Sequence, residues 1–179
     1  MCKINFKKTL PYIGSILFMI ILSYIYFSPD ILEGKVLFQG DTQQGIAIGQ
    51  EGKAFREATG ETTRWTNSLF SGMPNFQISP SYANNYWMGQ IGRIYHLGLQ
   101  SPASLVFIMM LGFFILLSAM KIRWYLALVG AIAYAFSSYF FIIIGAGHIW
   151  KFITLAYIPP TIAGIILAYR GKYIGGAAL

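Results

Sequence analysis

Charged residues are distributed so unevenly along this chain that they restrict the folds open to it. All six acidic residues fall in one stretch: Asp30, Glu33, Asp41, Glu51, Glu57 and Glu61. Residues 10–28 before this stretch and 94–120 after it contain no Asp, Glu, Lys or Arg and are mostly apolar. Because a carboxylate is costly in hydrocarbon, this layout separates segments that fit a lipid bilayer from a segment that belongs in water.

The apolar segments are long enough to cross a membrane. Of the 179 residues, 56% are hydrophobic and only 11% are charged, and about 20 mostly apolar residues cross a hydrocarbon core of ~30 Å. The sequence predicts four transmembrane helices, at residues 10–28, 102–120, 124–146 and 152–169. The last is the shortest, but the flanking Lys151 and Arg170 could reach the two interfaces. The predicted fold class is an all-α polytopic membrane protein.

The basic residues predict the orientation. They collect at the ends of the predicted spans in three clusters: Lys3, Lys7 and Lys8; Lys121 and Arg123; Arg170 and Lys172. Two crossings separate each cluster from the next, so all three lie on one side, which the positive-inside rule makes the cytoplasm. Residues 1–9, 121–123 and 170–179 are then cytoplasmic, and the loop 29–101 and the turn 147–151 lie outside. The net charge of +7 follows from topology and does not indicate nucleic-acid binding.

Both ends of the chain carry further signals. The first apolar run could be a cleaved signal peptide, but residues 26–29 (YFSP) offer no small-x-small cleavage site, which favours an uncleaved anchor. Cys2, the single cysteine, falls on the cytoplasmic side, so no intrachain disulfide is expected. After Lys172 the chain ends in YIGGAAL, which resembles the opening of a fifth span. We therefore expect a portion of a longer polytopic protein.

The outer loop is predicted to begin with one helix and to end with another. Asp41 is placed as the N-cap of the first, with Gln44 at its third position, in a variant of the capping box. That helix is expected to run to Ala58 and to end at Thr59-Gly60. An irregular stretch marked by Gly72, Pro74 and Pro80 follows. Residues 86–95 then predict an interfacial helix, because Trp87, Ile91, Ile94 and Tyr95 recur at helical spacing.

The first loop helix carries a glycine stripe and an unusual carboxylate. Gly45, Gly49 and Gly52 share one face, which predicts close approach of another helix or of a ligand. Glu51 falls in the apolar face formed by residues 47, 48, 54, 55 and 58. There it should pair, bind a cation or have a raised pKa, unless the helix stops short and Glu51 is solvated.

Signatures of soluble enzymes are missing from the sequence. It has no His/Cys cluster with zinc spacing, no phosphate-binding glycine loop and no Gly-x-Ser-x-Gly motif. His96 and His148 are isolated, as structural histidines usually are. His148 and Lys151, however, occupy the second outward turn, on the same side as Asp41, where they could meet an anion.

Three motifs in order resemble a known family. They are FQGDTQQ at 38–44, RWTNSLFSGMP at 64–74, and LVGAIAYAFSSY at 128–139 followed by Gly147-His148 and by AYIPP at 156–160. The chain is similar, over nearly its whole length, to the N-terminal part of YfhO-like bacterial membrane proteins, which are related to GT-C glycosyltransferases.

The resemblance implies a large multi-span enzyme of a bacterial inner membrane that uses a polyprenyl-phosphate-linked sugar donor. Asp41 holds the place of the acidic residue that GT-C enzymes carry just beyond the first span. Its implied role is to accept a proton from the acceptor hydroxyl or to hold a divalent metal near the donor phosphate. The chain departs from many members because Thr42 and Gln43, not a second carboxylate, follow Asp41. The cofactor stays open, with Asp41 and Glu51 as the candidate metal ligands.

A lipid-linked donor would also need a cation for its phosphate and aromatic side chains for its sugar. Arg64, Lys151 and His148 are the candidate polar contacts, and Trp65, with Tyr86 and Trp87, the candidate aromatic platform. Two rival functions are a transporter or flippase subunit and a non-catalytic assembly factor. The transporter predicts ionisable residues and broken helices inside the spans, and the predicted spans hold no Asp, Glu, Lys or Arg.

Overall fold

A computed structural model describes residues 6–77 and 86–179, and the predicted all-helical character is confirmed in outline. The helices are α1 (Phe6–Tyr26), α2 (Ser28–Leu32), α3 (Gly40–Thr59), α4 (Tyr86–Tyr95), α5 (Ala103–Ala119), α6 (Trp124–Ala135), α7 (Ser138–Ala146), α8 (Ile149–Tyr169) and α9 (Tyr173–Ala177). Two short antiparallel strands, β1 (Trp65–Thr66) and β2 (Met73–Pro74), and a 3-10 helix (Asn75–Gln77) lie between α3 and α4. Cys2, Lys3 and Pro80 lie outside the described residues.

Two helices qualify as candidate membrane spans, and a third candidate depends on how a bend is counted. Thr9–Tyr26 and Ile149–Tyr169 are long and apolar enough to cross a bilayer, and α6 with α7 qualifies if the bent pair forms one span. Helix α5 is apolar but has 17 residues, about 26 Å at 1.5 Å per residue. By length and composition, the described residues thus hold two or three candidate spans, and four spans stay a prediction.

Helix α5 lies at the centre of the bundle. Every residue from Ala103 to Met110 is buried, and the helix packs against α1, α6 and α8. The largest fully buried side chains of the bundle include Phe107 on α5, Phe152 on α8 and Met19 on α1. A helix that is apolar on all sides is suited to this fully enclosed position.

The contact of α5 with α8 is close because of a glycine and a proline. A Cβ added at Gly112 would lie 2.7 Å from the Ala156 carbonyl oxygen and 3.0 Å from Pro160 Cδ. Pro160 has no N–H to donate to the carbonyl four residues earlier. The Ala156 carbonyl therefore lacks its usual helical hydrogen bond, and the α5 backbone can approach α8 there. Small residues such as Gly112 permit this close packing between membrane helices.

The two ends of α8 lie about 30 Å apart, since the helix has 21 residues at 1.5 Å each. At the end of α8, the Arg170 guanidinium donates to the backbone carbonyl of Ala119, the last residue of α5. A cation is favourable at a helix C-terminus, where carbonyls lack partners. Helices α5 and α8 therefore end at the same end of the bundle, opposite His148.

The predicted helix over 124–146 is interrupted. Helices α6 and α7 meet at 46° across a short break, where Ser137 has an extended backbone conformation. The Phe136 and Phe141 rings both contact the Tyr26 ring, at centroid distances of 5.3 and 4.9 Å. In one continuous helix, residues five apart point about 140° away from each other. The break thus lets both rings pack on α1.

The outer-loop helices agree with the prediction except at the start of α3. Helix α3 ends at Thr59 with Gly60 in the left-handed conformation, φ +76°, and α4 has the predicted bounds. The N-cap assignment of Asp41 is wrong. Gln39 is the N-cap, without a side-chain capping bond, and Asp41 lies within the first turn.

The glycine stripe of α3 does not mediate helix packing in the described part of the chain. A Cβ at Gly45 or Gly49 would meet nothing within 4 Å there, and only Gly52 has close neighbours, Asn75 Nδ2 at 3.3 Å and Thr63. Among the described residues, close approach of another part of the chain is therefore seen only at Gly52, and approach of a ligand stays a prediction. The contact at Gly52 comes from the returning loop and not from another helix.

Candidate functional site

The predicted outer loop and the turn before α8 meet through Asp41 and His148. Asp41 Oδ2 lies 2.8 Å from His148 Nδ1, and the two side chains are 49% and 51% exposed. Asp41 belongs to the first turn of α3, and His148 immediately precedes α8 as its N-cap residue. Both candidate residues from the sequence are thus brought together, in a place that solvent or a ligand can reach.

Three neighbouring contacts surround the point where the start of α3 meets the turn between α7 and α8. Gln39 Nε2 donates to the Ile144 carbonyl oxygen at 2.7 Å, inside the C-terminal turn of α7. Gln39 Oε1 accepts a hydrogen bond from Thr42 Oγ1 at 3.0 Å. A Cβ at Gly147 would lie 3.1 Å from the Thr42 backbone nitrogen. The start of α3 is therefore fastened directly to the turn between α7 and α8.

Gly147 and the turn around it place the imidazole. Gly147 has φ +92°, a left-handed conformation that ends a helix and that glycine adopts without strain. The backbone N–H of His148 donates to the Ile143 carbonyl oxygen at 3.1 Å, and α8 begins at the next residue. Asp41 lies at the N-terminus of α3, where the helix dipole favours a negative charge. The α3 backbone thus favours the negative charge of the Asp41 carboxylate.

The contact also determines which nitrogen of His148 is available. In neutral imidazole one nitrogen donates and the other accepts, and the partner of the first selects the tautomer. Since a carboxylate accepts from Nδ1, Nε2 keeps its lone pair. The pair can therefore receive a proton at Nε2 while Asp41 stabilises the cation that forms.

The other predicted binding residues lie elsewhere. Lys151 Nζ is 5.7 Å from the centroid of the Tyr139 ring, a cation–π contact between the first turns of α8 and α7. Trp65 on β1 is 52% exposed, and its indole lies against Gly72, where a Cβ would be 2.8 Å from Nε1. Arg64 is exposed. Within the described residues, no hydrogen bond or ion pair joins Arg64, Trp65 or Lys151 to the Asp41–His148 pair.

Glu51 has a structural role that differs from the prediction. Glu51 Oε2 accepts hydrogen bonds from Ser68 Oγ and the Asn67 backbone N–H, each at 2.8 Å, and from Thr66 Oγ1. These bonds, above all those from Thr66 and Ser68, lower the pKa of Glu51 from 4.5 to about 2. The expected raised pKa is wrong, because donors surround the charged form instead of apolar side chains. Glu51 fastens the 66–68 turn to α3.

A metal site made of both candidate carboxylates does not fit α3. Ten residues of helix separate Asp41 from Glu51 by about 15 Å, so one ion cannot bind both. Among residues 6–77 and 86–179, no group of three His, Cys, Asp or Glu residues could hold an ion.

Two of the residues that build the site carried only weak sequence signals. Gly147 fits a helix C-cap position, but nothing local indicates that the turn would receive α3. Gln39 has no local signal at all, because its partner Ile144 is distant in sequence. His96, the other histidine, is partly buried, and burial lowers its pKa, which suits a structural role.

Comparisons with protein-family models, with curated proteins and with solved structures find no match in any of the three.

Proposed function

We propose that the chain is the N-terminal portion of a membrane-embedded GT-C-like glycosyltransferase with four spans. It moves a sugar from a polyprenyl-phosphate-linked donor to an extracytoplasmic acceptor, in a bacterial inner membrane, with the N-terminus in the cytoplasm. Its partners are the bilayer, the lipid-linked donor and the remainder of a longer polytopic chain.

The observation that carries this proposal is the contact between Asp41 and His148. It joins the only acidic segment of the chain to the turn between α7 and α8, at one end of an apolar bundle. A donor with a prenyl tail keeps the tail in the bilayer and its phosphate and sugar at the interface. A half-exposed carboxylate and imidazole at the end of the helices stand where such a headgroup would lie.

The orientation is supported by what occupies each end of α8. His148 and Asp41 lie at its start, whereas Arg170 reaches the end of α5 about 30 Å away. Lys121, Arg123 and Lys172 flank the ends of these helices in sequence, so basic residues gather opposite the acidic loop. The positive-inside rule places that basic end in the cytoplasm.

A direct test is the substitution Asp41→Asn in the full-length protein. We expect transfer from a radiolabelled polyprenyl-phosphate hexose to drop 100-fold or more, in the range of a lost general base, with unchanged membrane insertion. Asp30→Asn, the same change in the same loop, is the matched control and should keep full transfer. Undiminished transfer by the Asp41→Asn protein would remove this carboxylate from the mechanism.

A transporter or flippase subunit is the second candidate, and the bent α6–α7 pair is the observation in its favour. Transporter sites are commonly built from interrupted helices. A flippase would move a fluorescent polyprenyl-phosphate lipid across proteoliposomes without cleaving its sugar bond. Lipid movement without sugar transfer would favour this candidate, and neither activity would favour an assembly factor.

A further inference from the structure

We propose that His148 Nε2 is the atom that takes the proton from the acceptor hydroxyl, and that Asp41 is the positioning residue that holds the imidazole. This inference depends on the proposed glycosyl transfer, and it reverses the roles that the sequence suggests for the two residues. The family resemblance implied that Asp41 is the base or a metal ligand, and His148 was a candidate binding residue. The geometry between them favours the opposite assignment.

The hydrogen bond itself gives the first argument. Asp41 Oδ2 is engaged by His148 Nδ1 at 2.8 Å, so that oxygen is oriented toward the imidazole. A carboxylate that orients an imidazole through Nδ1 leaves Nε2 pointing away from it, ready to accept a proton. In this arrangement Asp41 orients the imidazole, and the imidazole acts as the base.

Access to the ring gives the second argument. The side chain that most often serves as a general base is histidine. The His148 side chain is 51% exposed, so an acceptor hydroxyl can reach its Nε2.

The charged surroundings agree with this assignment. Among the described residues of the elements that form the site, α3 contributes Asp41, α7 has no Asp, Glu, Lys or Arg, and α8 contributes Lys151 one turn beyond His148. Lys151 lies over the Tyr139 ring and forms no ion pair with Asp41. The Asp41 carboxylate is therefore available to orient the His148 imidazole.

The proposed step is balanced in atoms and charge. The acceptor oxygen forms a bond to the anomeric carbon of the sugar while its proton moves to His148 Nε2. The bond from the anomeric carbon to the phosphate oxygen breaks, and polyprenyl phosphate leaves with that electron pair. The imidazolium, stabilised by Asp41, then returns its proton to water, which its half-exposed side chain can reach.

The first test measures the tautomer of His148 and does not need a substrate. Nitrogen-15 NMR of the labelled, detergent-solubilised protein resolves the histidine side chains, and the signals lost in His148→Ala assign that residue. We expect neutral His148 to carry its proton on Nδ1, and to lose that preference in Asp41→Asn. A proton on Nε2 in the unaltered protein would overturn the proposal, whatever the activity of the chain.

The second test is chemical rescue with the radiolabelled polyprenyl-phosphate hexose. We expect His148→Ala to lose transfer 100-fold or more and added imidazole to restore at least a tenth of it. Imidazole should not rescue Asp41→Asn, which retains its ring, and His96→Ala should transfer normally. A structural role of His148 would not give rescue by imidazole.

Two outcomes of this second test distinguish failure of the base assignment from failure of the proposed function. Full transfer by His148→Ala with loss in Asp41→Asn makes the carboxylate itself the base, which overturns this inference and leaves the proposed function standing. No transfer by the unaltered protein overturns the proposed function and the base role together, even if NMR shows the proton on Nδ1.

Discussion

At the scale of single residues, α3 shows how two carboxylates on one helix acquire different roles. Asp41 and Glu51 were both candidates from the sequence. Glu51 is surrounded by hydroxyl and backbone donors of residues 66–68, so its charge is used to hold a turn. Among the described residues, Asp41 pairs with His148, and both side chains stay half exposed. Their partners, and not their positions in the sequence, separate the structural carboxylate from the candidate for chemistry.

Glu51 gives a prediction about pH. Its pKa falls from 4.5 to about 2 on folding, so its stabilisation of the 66–68 turn is complete above about pH 4.5. That stabilisation is lost as the pH falls toward 2. The fluorescence of Trp65, with the other three tryptophans changed to phenylalanine, should report the loosening in this window.

Glu51→Gln should loosen the turn already at pH 7 and should show no acid transition. Glu57→Gln, an equally isosteric change at a mostly exposed residue of the same helix, should keep the transition of the unaltered protein. An acid transition that persists in Glu51→Gln would assign it to another group.

At the scale of elements, the sequence predicts best what local chemistry determines. The end of α3 at Gly60 and both bounds of α4 follow from a glycine in the left-handed conformation and from apolar periodicity. The break between α6 and α7 follows from packing of Phe136 and Phe141 on Tyr26, a distant residue. Apolar periodicity alone therefore predicted one continuous helix.

The candidate site likewise combines features that local sequence predicts with contacts between residues distant in sequence. The positions of the basic clusters place Asp41 and His148 on one side of the membrane, which is as far as the sequence reaches. Their contact depends on Gln39 bonding to a carbonyl of α7 and on the small turn at Gly147. Neither has a signature within a few residues of its own position.

The turn at Gly147 gives the prediction at this scale. Gly147→Ala would place a methyl group 3.1 Å from Thr42 and should push α3 away from α8. Gly171→Ala is the matched control, because Gly171 also has a positive φ, +76°, but meets nothing within 4 Å among the described residues. Both changes should cost about 1–2 kcal/mol of backbone strain.

Only Gly147→Ala should also remove the Nδ1 proton preference of His148 in nitrogen-15 NMR and reduce sugar transfer. If the two glycine variants behave alike, strain alone accounts for the effect and the contact with Thr42 has no part in it.

Across the whole molecule, the acidic loop and the basic residues lie at opposite ends of the helical bundle. The acidic loop meets α7 and α8 at one end, and the basic residues that follow α5 and α8 gather at the other, where Arg170 binds the last carbonyl of α5. The apolar helices between them are centred on α5. The proposed enzyme thus has one end for a lipid headgroup, and the cytoplasmic end carries no carboxylate in the whole sequence.

The proposed function and the role of His148 as the base both require residues 41 and 148 to lie close together on the outer side, and cross-linking tests this proximity. The protein would carry Asp41→Cys and His148→Cys, with Cys2→Ser and every cysteine outside these 179 residues also changed to serine. A short, membrane-impermeant, thiol-specific bifunctional reagent is then added outside intact spheroplasts. We expect the two residues to be cross-linked within one chain, whereas an Asp41→Cys/Lys172→Cys pair should give no cross-link. Absence of a cross-link between positions 41 and 148, when each single cysteine reacts from outside, would contradict the account.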